Sequence, residues 1–226
     1  MIKIFIFGTG TMGDIAYEYL KGAKNFQICG FVDFEDFFSS KTKFGLPVIK
    51  YENIEKTFPS EKFKGFIAIG YKNFNKEREN VFRLLKEKKY KLISFIHPKS
   101  CISDNVEIGE NCMILENQTI QPFSKIGNNV TLWSGNHIGH HVKIGDNSFI
   151  SSHVVISGSC RIGKNCFFGV NSAVADGIDI DDFCSIFMNA SVSKNLEKGS
   201  IVIAKNSEVL KENNKVTNII KKNFYK

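Results

Sequence analysis

An apolar residue stands at every sixth position from Ile96 to Val192, through Ile102, Ile108, Ile114 and onward without a slip. Sixteen of the seventeen positions are aliphatic and the other is Phe168. Neither a helical period nor strand alternation gives a strict six. A hexapeptide repeat predicts a parallel β-helix, each hexad a short extended stretch and a turn. Three hexads close one coil, so about eighteen residues make a rung and residues eighteen apart stack. The fifth position of each hexad is small or apolar as well, as at Val106, Val130, Val142 and Val154. The fourth is usually Asn or Gly, as at Asn111, Asn129, Gly135, Asn147 and Asn165. Those residue types accept the left-handed backbone angles that tight corners demand. A stack of rungs needs protected ends, and two segments are available: the N-terminal region for one end and the chain after Asn195 for the other.

The first 95 residues follow a different pattern. Ile2 to Phe7 is an apolar run that predicts a buried strand, and Gly8-Thr9-Gly10-Thr11-Met12-Gly13 follows it as a G-x-G-x-x-G turn. Asp14 to Lys21 reads as a helix and Phe26 to Val32 as a second strand ending at Asp33. A further strand over Gly65 to Ile69, a helix over Glu77 to Lys88 and an apolar stretch from Leu92 lead into His97-Pro98 and the first coil. A glycine turn opening a helix brings backbone N–H groups and a helix N-terminus to a phosphate. Hence three segments are predicted: an α/β Rossmann-like nucleotide-sugar-binding domain over 1–95, an all-β parallel β-helix over 96–205, and a basic tail over 206–226 with an amphipathic pattern at Val209, Val216, Ile219 and Ile220. Before the β-helix begins there is no room for a second mononucleotide half, which argues against an NAD-dependent oxidoreductase.

The formal charge of +7 suits phosphorylated ligands. No basic–aromatic interleaving of the nucleic-acid-binding kind occurs, and the apolar start is too short to span a membrane. No partner nucleic acid or membrane insertion is expected, and the expected location is cytoplasmic. Of the six cysteines, Cys112, Cys160, Cys166 and Cys184 fall at the inward fifth position and read as small core residues. With no C-x-x-C pair, no zinc site is predicted.

Chemistry concentrates in the histidines. Four of five lie between His137 and His153. His141 and His153 occupy the fourth position, where Asn or Gly is usual, and His140 the third, which faces outward. An outward imidazole is available for proton transfer near neutral pH. The spacing departs from that of hexapeptide-repeat carbonic anhydrases, so no metal is expected.

The glycine turn in Phe7 to Gly13, Phe31-Val32-Asp33, Ala68-Ile69-Gly70, His97-Pro98 and Ile138 to Gly145, in that order, together resemble the NeuD/PglD family of bacterial sugar acyltransferases. The resemblance covers Met1 to Lys205. It implies a left-handed β-helix, a homotrimer, a nucleotide-linked amino sugar in the N-terminal domain, and acetyl-CoA in the groove between neighbouring β-helices. It implies direct acetyl transfer to the sugar amine, with His140 as general base, His141 beside it, and the Gly158 N–H at the oxyanion. Sugar-binding positions are implied at Gly8, Gly10, Thr11, Met12, Gly13, Asp33, Phe34 and Gly70, and acetyl-CoA positions at Phe149, Gly158, Val170 and Met188. Relatives often carry Glu or Asp directly after the histidine, where this chain has His141. Two rivals share the fold: a sugar O-acetyltransferase of the sialic-acid type, and a non-catalytic scaffold.

Overall fold

The computed structural model describes residues 1–37 and 40–205 and, in the tail, residues 215, 217, 219 and 222. Of the expected tail pattern only Ile219 lies among them; Val209, Val216 and Ile220 lie outside the described residues.

The α/β lobe is built on β1 (Ile2–Phe7), α1 (Thr11–Lys21), β2 (Phe26–Asp33), β3 (Thr42–Lys43), β4 (Leu46–Lys50), α2 (Ile54–Thr57), β5 (Lys64–Ile67) and α3 (Lys76–Glu87). Its sheet order is β3-β4-β2-β1-β5, parallel except for the β3–β4 hairpin. Because β1 runs between β2 and β5 with α1 on one side of the sheet and α3 on the other, both its faces are buried. Ile4 and Ile6 pack with Ala16 and Leu20 of α1, while Phe5 and Phe7 pack with Val81 and Leu85 of α3. The hairpin and α2 carry no strong periodicity and were not predicted.

From Phe95–Ile96 to Ile201–Val202, eighteen two-residue strands wind into a three-sided prism. Its first face has seven strands, its second six and its third five, all paired in parallel with a step of eighteen residues up to Val192. The second residue of each strand points inward, so Ile138, Ile144, Ile150 and their equivalents stack into one core. The four inward cysteines lie in that core, fully buried. Burial pushes the Cys112 and Cys166 thiols up to about 11 and about 12, which makes them poor nucleophiles. Corner residues adopt positive φ as expected: 55° at Asn111, 58° at Asn129, 64° at Asn147 and 61° at His141.

The C-terminal end of the prism is covered by the segment after Asn195, with Leu196, Val202 and Ala204 packed on the core. The N-terminal end is not. Ile96 remains 42% exposed, because the α/β lobe docks sideways on the first face instead of over the end. The reason is an apolar outward surface: Met113, Leu115 and Trp133 of the first face join Ile4, Ile6 and Phe95 in one cluster.

A polar seam holds the lobe in place. The edge of β5 is closed by Asn111, whose Oδ1 accepts the Ile67 N–H at 2.8 Å. From there the corner asparagines hydrogen-bond rung to rung, Asn111 Nδ2 to Asn129 Oδ1 and Asn129 Nδ2 to Asn147 Oδ1, each 2.8 Å. The row continues to Asn165, which donates to Glu79 Oε2 of α3 at 3.0 Å. Beside it lies Arg78 of α3, 1% exposed. Its guanidinium donates to Thr131 Oγ1 at 2.5 Å and to the carbonyls of Asn147 and Ser148 at 2.7 and 3.2 Å. It also stands 5.6 Å from the Phe149 ring centroid. Burial lowers its pKa to about 10, which still leaves it charged at neutral pH.

Candidate functional site

The first region of interest is a cleft of about 530 Å³ at the C-terminal ends of β1, β2 and β5, where open α/β sheets place ligands. Gly8, Gly10, Thr11, Met12, Asp33, Phe34 and Gly70 all line it. Gly8 has φ +117°, and a Cβ there would sit 2.4 Å from the Ala68 carbonyl oxygen. Gly10 is the N-cap of α1 with no side-chain cap, and a Cβ there would meet open space. The backbone N–H groups of the first turn of α1 therefore face an uncluttered surface, the arrangement that receives an anion.

One expected position, Gly13, needs correction, and Asp33 and Phe34 line the cleft while also making contacts within the lobe. Gly13 is not in the cleft lining but packs α1 on the turn: a Cβ there would lie 2.2 Å from the Gly8 carbonyl oxygen. Both Asp33 carboxylate oxygens are committed within the lobe. Oδ2 accepts from Thr9 N–H at 2.8 Å and Thr9 Oγ1 at 2.5 Å, and Oδ1 from Phe34 N–H at 2.9 Å. Asp33 thus holds the glycine turn in shape. The Phe34 ring packs inward on Phe7 and Tyr51. Phe37, Lys72, Glu77 and Asn80, which were not among the expected positions, also line the cleft. The signal for the last three was their place just after β5 and at the start of α3, the third loop to reach the same sheet end.

The second region is the corner between the second and third faces. His140 and His141 form its turn, between His137–Ile138 and Lys143–Ile144, and both are exposed. The His140 N–H donates to Gln121 Oε1 at 3.0 Å, and the His141 N–H to the Pro122 carbonyl at 3.0 Å. The two Nδ1 atoms stand 3.1 Å apart, and the His141 ring lies against Phe123 at 4.8 Å between centroids. Below His140 is Gly158: a Cβ added there would come within 2.7 Å of His140 Cε1 and Nε2. Glycine at this position is what lets the ring lie flat over the next rung.

Two more expectations are corrected at this point. The Gly158 N–H is already donated to Asp176 Oδ1 at 2.8 Å, so it is not an open oxyanion donor. Phe149 is 2% exposed, covered by Tyr71 and Arg78 of the α/β lobe, and lines no open groove in this chain. Val170 and Met188 are 44% and 61% exposed and stack at the corner between first and second faces. Of the other histidines, His137 points out of the second face and the His153 ring covers Gly135.

The two regions are not together. The lobe covers the first face, reaching the Asn111 corner on one side and, through Tyr19 Oη donating to Glu116 Oε2 at 2.9 Å, the opposite corner on the other. In a three-sided prism the remaining corner, that of His140, lies on the far side from the lobe. Among the described residues no cluster of metal-ligating side chains occurs, and no helix is long and apolar enough to cross a membrane.

Residues 3–85 match the PglD N-terminal domain, 123–158 the bacterial transferase hexapeptide and 160–194 the hexapeptide repeat of succinyl-transferase. The α/β lobe thus matches the PglD N-terminal domain, and the prism matches bacterial transferase hexapeptide repeats. Among curated proteins none matches it. Among solved structures it is similar to the acetyltransferase domain of PglB from Neisseria gonorrhoeae, with TM-score 0.79 at 19% identity over 89% of this chain and 96% of that one. It is also similar to PerB from Caulobacter crescentus, solved with CoA and GDP-perosamine, with TM-score 0.79 at 20% identity over 90% and 97% of the two chains. WeeI from Acinetobacter baumannii superposes with TM-score 0.58 at 18% identity over 93% and 100%. At these identities the likeness is one of fold.

Proposed function

We propose that this chain is an acetyl-CoA-dependent N-acetyltransferase acting on the amino group of a nucleotide-linked amino sugar, with His140 as general base. The observation that carries this reading is the His140 imidazole: exposed, laid over a glycine, and hydrogen-bonded among the described residues through Nδ1 alone. Its Nε2 is left to take a proton. The fold neighbours support the substrate classes, since PerB is solved with CoA and GDP-perosamine and PglB is described as an acetyltransferase domain. The glycine-turn cleft supplies the place for the diphosphate.

In this reaction His140 Nε2 removes the proton as the sugar amine attacks the thioester carbonyl. The N–C bond forms, the C–S bond breaks, and the proton passes to the departing CoA thiolate. His140 performs the transfer without a covalent intermediate, and the inward cysteines take no part.

A cleft on one side of the prism and a base on the other require a second copy. The second face suits that contact. Its outward column is Cys101, Thr119, His137, Val155, Ala173 and Ser191, with no Asp, Glu, Lys or Arg, whereas the third face carries Glu107, Lys125, Lys143, Arg161 and Asp179. We therefore place the active site between copies of a homotrimer, the cleft of one copy facing His140 of the next. Val170 and Met188 flank the second face at its other edge and are assigned to the acetyl-CoA groove.

The test is release of CoA from acetyl-CoA with a panel of UDP-, dTDP- and GDP-linked amino sugars. A His140→Ala variant that turns over the best acceptor at the wild-type rate removes the general-base assignment. Preference for a hydroxylated sugar lacking the amine would move the reading to O-acetylation. Mixing His140→Ala with a Gly8→Val cleft variant, each inactive alone, tests the shared site: recovered activity requires cleft and base from different copies.

A further inference from the structure

We infer that His141 is a positioning residue that fixes the tautomer of His140 by accepting a hydrogen bond between the two Nδ1 atoms; this rests on His140 being the base. The Nδ1 atoms are 3.1 Å apart. Two ring nitrogens hold that distance only with one proton between them, since two lone pairs or two N–H groups repel. If His140 is to accept a proton at Nε2, its own hydrogen must be on Nδ1. His141 then accepts with its hydrogen on Nε2. Among the described residues no carboxylate hydrogen-bonds either imidazole.

The geometry is enforced from the His141 side. Its φ of 61° sets the turn, its N–H is held by the Pro122 carbonyl, and its ring rests on Phe123. With the backbone and one ring face fixed, Nδ1 is aimed at His140. By register the charged residues that share the pair's column are Asp104, Asp176 and Lys194, and those on the adjoining third face include Lys125, Lys143 and Arg161. Lys125 pairs with Glu107, Arg161 with Asp179, and Asp176 accepts the Gly158 N–H.

A histidine in this place differs from a carboxylate in charge: it is neutral when it accepts the hydrogen bond, and it becomes a cation with a second N–H when it takes a proton. That proton sits on His141 Nδ1, reverses the shared bond and drives the His140 hydrogen onto Nε2. One proton taken up by either ring therefore removes the base.

Two measurements test the inference. In protein labelled with ¹⁵N at histidine and free of ligand, the ring nitrogens should show His140 protonated at Nδ1 and His141 protonated at Nε2. Both rings protonated at Nε2 only would overturn it. Kinetics use acetyl-CoA and the best acceptor of the panel above. His141→Gly keeps the positive φ but removes the acceptor, and kcat should fall on the order of tenfold to a hundredfold with KM for acetyl-CoA little changed. His141→Asn, which keeps both the corner and an acceptor oxygen, should recover most of that loss. His141→Glu should recover activity with the acid limb of kcat moved up by roughly one pH unit, because a carboxylate favours the imidazolium. If Gly and Asn variants behave alike, or His141→Gly matches wild type, His141 is a corner residue only and the inference fails. It fails separately from the base assignment, which stands or falls on His140→Ala.

Discussion

Two corners of the same prism are built from the same hexad register and have opposite fates. At the corner between third and first faces the fourth position is Asn in four successive rungs, Asn111, Asn129, Asn147 and Asn165, all buried and linked. At the corner between second and third faces the same position reads Phe123, His141, Ser159 and Gly177. There the backbone keeps its positive φ, at 65°, 61°, 60° and 69°, but the side chains are irregular and the corner is not covered by the lobe. Identical backbone geometry thus serves once as a seam and once as a surface for chemistry. Regularity belongs to the buried corner because a hydrogen-bonded row needs a repeating donor and acceptor. Where nothing repeats, each residue is free to be selected for what it does.

The sharpest way to separate the corners is by what each mutation damages. His140→Ala should lower kcat about 10²- to 10⁴-fold, the usual contribution of a positioned general base, while thermal unfolding stays within about 0.5 kcal/mol of wild type, as for exposed positions. At the seam the balance reverses. Arg78→Met leaves the Thr131 hydroxyl and the Asn147 carbonyl without their donor, and should cost roughly 3–5 kcal/mol. That corresponds to a fall of about 10 °C in Tm for a chain of this size, read by calorimetry. Asn129→Ala breaks two links of the row and strains a left-handed corner, and should cost about 2–3 kcal/mol. Asn129→Gly relieves the strain but not the lost bonds, so the difference between the two variants, about 1 kcal/mol, isolates the backbone component. A seam that tolerates both would mean that the apolar contacts of Met113 and Leu115 hold the lobe unaided.

The smallest effect concerns the third face. Arg161 forks onto Asp179 with 2.8 and 2.7 Å bonds and holds its carboxyl below the ordinary range. A carboxylate with a depressed folded-state pKa adds stability above its unfolded value, and that contribution fades as pH falls through the folded one. The pair is exposed, so Asp179→Asn should move Tm only slightly at pH 7, and the difference should vanish once the pH has fallen through the lowered folded-state value.

Much of this was legible in the residues. The six-residue period is set by local geometry, each coil being built from neighbours in sequence, so the inward isoleucines and cysteines could be placed without a structure. The glycine turn was legible for the same reason. What could not be read is where separate pieces meet. Nothing local to Met113 or Arg78 says that a lobe docks beside the coil instead of over its end, and so Ile96 was expected under cover and Phe149 in the open. Asp33 was read as a ligand contact because its place in the motif is shared, while its hydrogen bonds to Thr9 and Phe34 depend on the turn's final shape. The Nδ1 contact of His140 and His141 needed both rings' rotamers, which the register does not specify.

The asparagine row also acts as a ruler. It ties the cleft to particular rungs, and His140 occupies one of the rungs that the row spans. Rungs are spaced about 4.8 Å apart, close to the span of one sugar ring. Height along the prism is therefore counted in whole steps: adding or removing one coil within the span of the row would offset base from cleft by a full sugar unit. The length of acceptor that reaches His140 is in this way written into an integer, the number of hexads, which no single substitution can change.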